Sequence, residues 1–283
     1  MSVEKLRLVQ NLLEKRRIRH KEHRFVVEGP HLVEEASDLI DFVIYSEELP
    51  ILKKLREKGL ECLKISRQQF AKLSEVETPQ GILAVVKEKT FELKDVIGNN
   101  RPLIVFCVEL QDPGNLGTII RTADAVAATG VILSKGTVDL YNAKVIRSSM
   151  GSIFHLPIVQ ADDVKEPIQY FKQRKIKIIA TEVGAGKDYF TVDLKAPALV
   201  LVGNEGAGLP KDVIELADEV VKIPMPGRAE SLNAAISAAV LLYEALRQRT
   251  SLPSPSLPAG RQVRWRGGTT SEAEHVEAES SGG

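Results

Sequence analysis

Cysteine is almost missing from this chain. Cys62 and Cys107 are the only two in 283 residues, and they sit in separate apolar segments. A disulfide framework is therefore not expected, and each thiol reads as a small buried hydrophobe. Histidine is sparse too: His20, His23, His31, His155 and His275 form no HExxH or clustered pattern, so no structural metal is expected. No apolar run is long enough to span a bilayer. The opening MSVEKLRLVQ breaks its leucines with charge and holds no apolar signal core. These absences point to a cytoplasmic protein with no membrane partner. Net charge is missing as well, since 38 Lys and Arg balance 38 Asp and Glu, which removes a global field as a means of attracting nucleic acid.

The charge that is there is unevenly spread. Residues 15–24, KRRIRHKEHR, hold six Lys/Arg, two His and one acid. A neutral protein binds phosphate through a local patch of this kind, which makes Lys15, Arg16, Arg17, Arg19 and Arg24 candidate phosphate contacts. A solvated basic helix end fits the same residues.

The length suits two domains. Over residues 1–95, helical and strand patterns alternate. Leu6, Val9, Leu12 and Leu13 recur at helical spacing, and RFVVEG (24–29) reads as a strand. Pro30 opens a second helix, PHLVEEASDLI, at the position where its fixed φ is tolerated. DFVIYS (41–46), ECLKIS (61–66) and GILAVVK (81–87) are further strands, completing a small αβ module. The apolar pattern weakens across 88–101. A second αβ series fills 101–250, with strands at 103–110, 130–134, 175–183, 198–203 and 219–225 and the clearest helices at 115–128 and 231–248. Strands apolar along their whole length imply a parallel sheet covered on both faces. Residues 251–283, with Pro253, Pro255 and Pro258 among serines and an acidic Ser/Gly end, have no core-forming period and are expected to be disordered. Trp265 lies there between Arg264 and Arg266.

Three stretches of the second series carry chemistry. In ELQDPGNLGTIIRTADA (109–125), Asp112-Pro113-Gly114 is a turn, Asn115 is suited to cap the following helix, and Gly117 leaves room for a close approach. Helix N-termini and arginine both suit phosphate, which singles out Arg121; a capped helix with a surface arginine is the plain alternative. In LVLVGNEGAGLP (199–210), a strand ends in a Gly-rich turn around Glu205, at the end of a strand where open αβ sheets bind ligands. Its order is GxxGxG, not the dinucleotide fingerprint GxGxxG. Gly184-Ala185-Gly186-Lys187 makes no phosphate loop either, because the upstream glycine is absent and Asp188 stands in place of Ser or Thr. In IPMPGRAESLNAAISAAVLLYEAL (223–246), a rigid apolar loop leads through Ser231-Leu232-Asn233 into a helix rich in alanine, where a second helix or chain can pack closely.

NLGTIIRTADA, LVGNEGAGLP and IPMPGRAESLNAAISAAVLLYEAL, in this order and spacing, resemble motifs 1, 2 and 3 of the SpoU/TrmH family of SPOUT RNA methyltransferases. KVIRSSMGSIFHLPI (144–158) is similar to the family's segment between motifs 1 and 2, so the resemblance covers about 103–248. RFVVEGPHLVEEA (24–36) resembles the family's small N-terminal substrate-binding domain. The resemblance implies a parallel-sheet domain with a C-terminal trefoil knot, a homodimeric active site, S-adenosylmethionine as cofactor and RNA as partner. It implies that Gly203, Ile223 and Leu232 bind the cofactor through backbone groups, with Thr181, Leu201 and Met225 lining the same pocket. Asn115, Arg121, Glu205, Ser231 and Asn233 would form the catalytic and RNA-facing cluster.

The implied reaction is methylation of a ribose 2′-hydroxyl, with ribosomal RNA, most of all 23S, favoured by the N-terminal module and transfer RNA as the alternative. Such transfer needs the ribose positioned in line with the sulfonium methyl and its proton removed. Arg121 would engage the 2′-hydroxyl with the adjacent phosphate. A guanidinium holds its proton tightly, so orientation and electrostatic stabilisation by Arg121, with phosphate or water taking the proton, competes with a role as base. Glu205 would hold Arg121, while Asn115, Ser231 and Asn233 would order the nucleotide. Two other classes stay open: a non-catalytic RNA-binding protein retaining the fold, and a nucleotide-binding enzyme of ordinary doubly wound type. The latter calls for a Gly-rich fingerprint after its first strand, which ELQDPGNLGT does not supply.

Overall fold

The structure, a computed structural model, describes residues 2–98 and 101–250. The expected disorder of 251–283, with Trp265, lies outside the described residues.

The first unit runs through α1 (Ser2–Glu14), α2 (Arg16–Glu22), β1 (Arg24–Glu28), α3 (Pro30–Glu35), β2 (Ile40–Tyr45), α4 (Pro50–Glu57), β3 (Glu61–Lys64), α5 (Arg67–Ala71) and β4 (Ile82–Lys87). Its sheet has the order β1-β4-β2-β3, with β4 antiparallel to both neighbours and β2 parallel to β3. Val9 and Leu12 of α1 are fully buried against Val26, Phe42 and Ile44 on one face of that sheet. The helix opened by Pro30 stops at Glu35, not at residue 40, because a turn over 36–39 delivers Ile40 into β2.

The second unit runs through β5 (Leu103–Cys107), α6 (Pro113–Ala125), β6 (Gly130–Ser134), α7 (Ala143–Ser149), β7 (Ile158–Ala161), α8 (Lys165–Gln173), β8 (Lys177–Thr181), β9 (Lys187–Asp188), β10 (Ala198–Val202), α9 (Lys211–Ile214), β11 (Glu219–Lys222) and α10 (Ala234–Thr250). Its seven strands are all parallel, in the order β7-β6-β5-β10-β8-β11-β9. Alternate residues of each strand serve different cores. Leu103, Val105 and Cys107 meet α6 and α10, whereas Ile104 and Phe106 meet α8 and α9. That double duty explains why β5, β6 and β10 are apolar at every position. The chain moves outward from β5 to β7, then returns to place β10 directly beside β5. This reversal is a topological switch point, where loops at neighbouring carboxyl ends diverge and leave a crevice.

Packing puts the end of the first unit at about residue 87. Val96 is fully buried beside Ile104 and Phe106, and Phe91, Leu93 and Ile97 join it. Their irregular spacing hides this from a periodicity reading, which extends the first unit to residue 95. The two units share a continuous apolar cluster that holds both Phe25 and Tyr141, whose rings stack at 4.3 Å between centroids. Arg19 reaches across to Asp139 with Nη2–Oδ2 at 2.6 Å, and both residues are 6% exposed. Its guanidinium also donates to the carbonyls of Leu12 and Leu13. Arg19 is therefore an inter-unit tie and not the phosphate contact that the basic run suggests. Nearby, His155 is held between Asp124 at 2.8 Å and Glu35 at 2.9 Å.

Candidate active site

The turn after β5 sets the geometry of the site. Asp112 Oδ1 accepts from the backbone N–H of Asn115 at 2.8 Å, and Pro113 follows it at the first helical position. Asp112, not Asn115, is therefore the cap of α6, an Asp-Pro pairing the sequence already carries. Relieved of capping, the Asn115 carboxamide works outward. Its Nδ2 donates to Glu205 Oε1 at 2.9 Å, and its Oδ1 accepts from Asn233 Nδ2 at 2.8 Å. Asn233 in turn caps α10, accepting from the N–H groups of Ala235 and Ile236. The final helix accordingly begins at Ala234, three residues later than its pattern suggests.

Glu205 stands over the N-terminus of α6 and also accepts from the backbone N–H groups of Gln111 (3.0 Å) and Asp112 (2.9 Å). Burial alone would raise its pKa, but the donors from Gln111, Asn115 and Asp112 outweigh it and hold the carboxyl below its ordinary value. Asn233, Asn115 and Glu205 thus form one hydrogen-bonded chain joining the three motifs.

The Gly-rich turn folds on itself, with Asn204 and Gly208 exchanging backbone hydrogen bonds. A Cβ on Gly203 would lie 2.4 Å from the carbonyl carbon of Gly208. The glycine is needed by the turn itself before any ligand approaches. Gly117 also serves packing: its missing Cβ would sit 2.7 Å from the Val145 carbonyl of α7.

Outside the carboxyl ends of β10, β8 and β11 opens a cleft of about 940 Å³, within the range of small-molecule sites. Thr181, Gly203, Glu205, Ile223, Met225, Ser231 and Leu232 all line it. Leu201 does not. Its side chain is fully buried in the opposite core, and only its carbonyl turns this way, accepting from Thr181 Oγ1 at 3.3 Å. Arg121 lies apart from the cluster. Six residues along a helix rotate it about 120° from Asn115 and carry it about 9 Å further. It is exposed and makes no ion pair with any described residue. The expected hold of Glu205 on Arg121 is not made within the chain; that carboxylate is taken up by the Gln111 and Asp112 N–H groups and the Asn115 carboxamide. Lys15, Arg16 and Arg17 are exposed, whereas Arg24 is partly covered and paired with Asp41 at 3.1 Å. Sequence reasoning passed over Asn204, whose side chain bonds Glu109, Gly206 and Ala207 to shape the turn, and Asp188 and Lys222 in the cleft wall.

A parallel sheet with a ligand-sized cleft at its switch point, bordered by a prearranged polar cluster, defines a ligand-binding αβ protein of the enzyme type. The chain belongs to the SpoU rRNA Methylase family, whose model matches residues 102–243. Residues 4–84 match the MRM3-like substrate binding domain. The chain is 37% identical to the 23S rRNA (guanosine(2553)-2′-O)-methyltransferase of Bacillus subtilis, over 80% of this chain and 89% of that protein. It is 38% identical to the 23S rRNA (uridine(2479)-2′-O)-methyltransferase of Streptomyces viridochromogenes, over 64% of this chain and 65% of that one. A crystal structure of the SpoU methyltransferase AviRb from Streptomyces viridochromogenes, in complex with AdoMet, superposes with a TM-score of 0.80 at 33% identity, covering 87% of this chain and 99% of that one.

Proposed function

We propose that this protein methylates a ribose 2′-hydroxyl in ribosomal RNA, most of all 23S, using S-adenosylmethionine. The observation that carries the reading is the Asn233–Asn115–Glu205 chain at the border of the cleft. The two relatives are named for a guanosine and a uridine, so the feature common to their substrates is the ribose and not the base.

The cleft fits the cofactor by its size, by the backbone that the Gly203–Gly208 turn presents, and by the apolar walls of Ile223, Met225 and Leu232. Gly203, Ile223 and Leu232 would hold it through backbone groups, with Thr181 and Met225 alongside. When bound, the cofactor supplies a sulfonium methyl as electrophile. The residues of the chain position the ribose. Asn115, Ser231 and Asn233 order the nucleotide, and Glu205 fixes Asn115. Arg121 orients the 2′-hydroxyl and the neighbouring phosphate and stabilises developing negative charge.

The rotation of Arg121 away from its own cluster favours a homodimer in which it serves the cluster of a second copy. Ile236 and Tyr243 support this, being seven residues apart on α10 and 51% and 53% exposed, which places two apolar side chains on one helix face. Family membership, together with the meeting of the 203–208 and 223–232 loops at one cleft, supports the trefoil knot. Lys15, Arg16 and Arg17 are the remaining candidates for phosphate contact in the first unit. No described helix is long and apolar enough to cross a membrane, and ribosomal RNA as substrate favours a cytoplasmic location.

The test supplies labelled cofactor with ribosomal or transfer RNA and maps the methylated ribose. Label on a 23S ribose is expected; base methylation, or transfer to tRNA alone, overturns the reading. Arg121→Ala should abolish transfer while S-adenosylhomocysteine still binds, and full activity in that variant would remove Arg121 from the reaction.

A further inference from the structure

The wall of the cleft away from Glu205 carries a second set of charges. β9 is the edge strand of the sheet, and its Asp188 stands in register with Lys222 of β11. Residues in register on neighbouring strands project to the same face, and both of these line the cleft. Asp188 Oδ1 is buried and finds no hydrogen-bond partner among the described residues. No described residue pairs with the Lys222 ammonium; the neighbouring Lys187 is the one that binds Glu219, at 2.6 Å. A buried carboxylate oxygen without a donor costs free energy that a bound donor returns. The carboxyl torsion of aspartate is broad and roughly two-fold, so either oxygen can turn to the cleft.

An Asp and a Lys that sit side by side, face one cavity and leave each other unpaired complement a zwitterion. We propose that Asp188 and Lys222 form a clamp for the amino-acid end of the cofactor, Asp188 accepting from the α-ammonium and Lys222 binding the α-carboxylate. The inference rests on reading the cleft as the S-adenosylmethionine site. Ribose and adenine offer only neutral donors to Asp188 and neutral acceptors to Lys222, so they match neither charge. Charge-assisted bonds are roughly twice as strong as neutral ones. The rest of the lining sharpens the assignment: among the described residues, Glu182, Glu205 and Glu230 are the other charged ones, and Lys222 is the single cation. Without it an α-carboxylate would meet only like charge. The excess of carboxylates suits a ligand whose sulfonium and ammonium give it net positive charge.

Calorimetric titration of the full chain with S-adenosylhomocysteine and with 5′-methylthioadenosine separates the two ends, because the second ligand lacks the amino-acid group. Asp188→Asn and Lys222→Met should each weaken S-adenosylhomocysteine about tenfold or more, while methylthioadenosine stays within about twofold. Lys222→Arg keeps the charge and should keep the affinity, which separates loss of the clamp from loss of fold. Unchanged S-adenosylhomocysteine binding in Asp188→Asn and Lys222→Met, or an equal loss for both ligands, overturns the clamp and leaves the cofactor reading standing. Failure of the unaltered protein to bind either ligand overturns the cofactor reading itself.

Discussion

A carboxamide both donates and accepts in one plane, and Asn115 uses both ends, accepting a hydrogen bond from Asn233 and donating one to Glu205. Glu205 is the anchor of this arrangement because it also accepts from the backbone N–H groups of Gln111 and Asp112, in the turn just ahead of α6. The sign of its pH dependence follows. Its folded-state pKa lies below the ordinary 4.5, so its stabilising contribution is complete above that value. It is lost as pH falls through the lowered one. The stability gap between the protein and Glu205→Gln, followed by urea midpoints, should stay level from neutral pH to about 4.5 and shrink below it. A gap that already closes between pH 7 and 5 would contradict the lowered pKa.

At the scale of elements, Gly203 marks where a strand becomes a turn. The Cβ of Gly203→Ala would meet the Gly208 backbone at 2.4 Å, and backbone cannot swing aside as a flexible side chain can. The turn should open, lowering stability by about 1–3 kcal/mol and abolishing S-adenosylhomocysteine binding. A crystal structure of the variant with the Asn204–Gly208 pairing intact would refute this. The same elements mark what a sequence discloses. β5 and β10 are legible because each is buried on both faces, and the motif residues lining the cleft are legible from family likeness. β7 and β9 escape notice, being four and two residues long. The sequence places the cap of α6 three residues late because Asn115 and Asp112 are both good caps, and only the fold reveals that Asn115 is engaged elsewhere. The register of Asp188 with Lys222 joins strands 34 positions apart in the chain, with β10 between them in sequence, so no local pattern records it.

For the molecule as a whole, the decisive side chain is Arg19, which composition groups with its solvated neighbours. Its partner Asp139 lies 120 residues away, a distance at which sequence gives no cue. Arg19→Met removes the buried cation and leaves the Asp139 carboxylate without its guanidinium partner. The expected loss is about 3–5 kcal/mol in urea denaturation. Asp139→Leu in the same chain should recover most of it, since the desolvated charge goes too. A loss below about 1 kcal/mol, the range of exposed pairs, would refute a buried tie.

That tie, the stacked Phe25 and Tyr141 rings and the shared apolar cluster pack the two units against each other. Under the proposed reaction, the first unit grips RNA and the second modifies it, so the packing between them sets the gap between grip and chemistry. Such a molecule acts as a calliper. It would choose its nucleotide by how far that nucleotide lies, in folded RNA, from the element being gripped, and bases along the way need not be read at all.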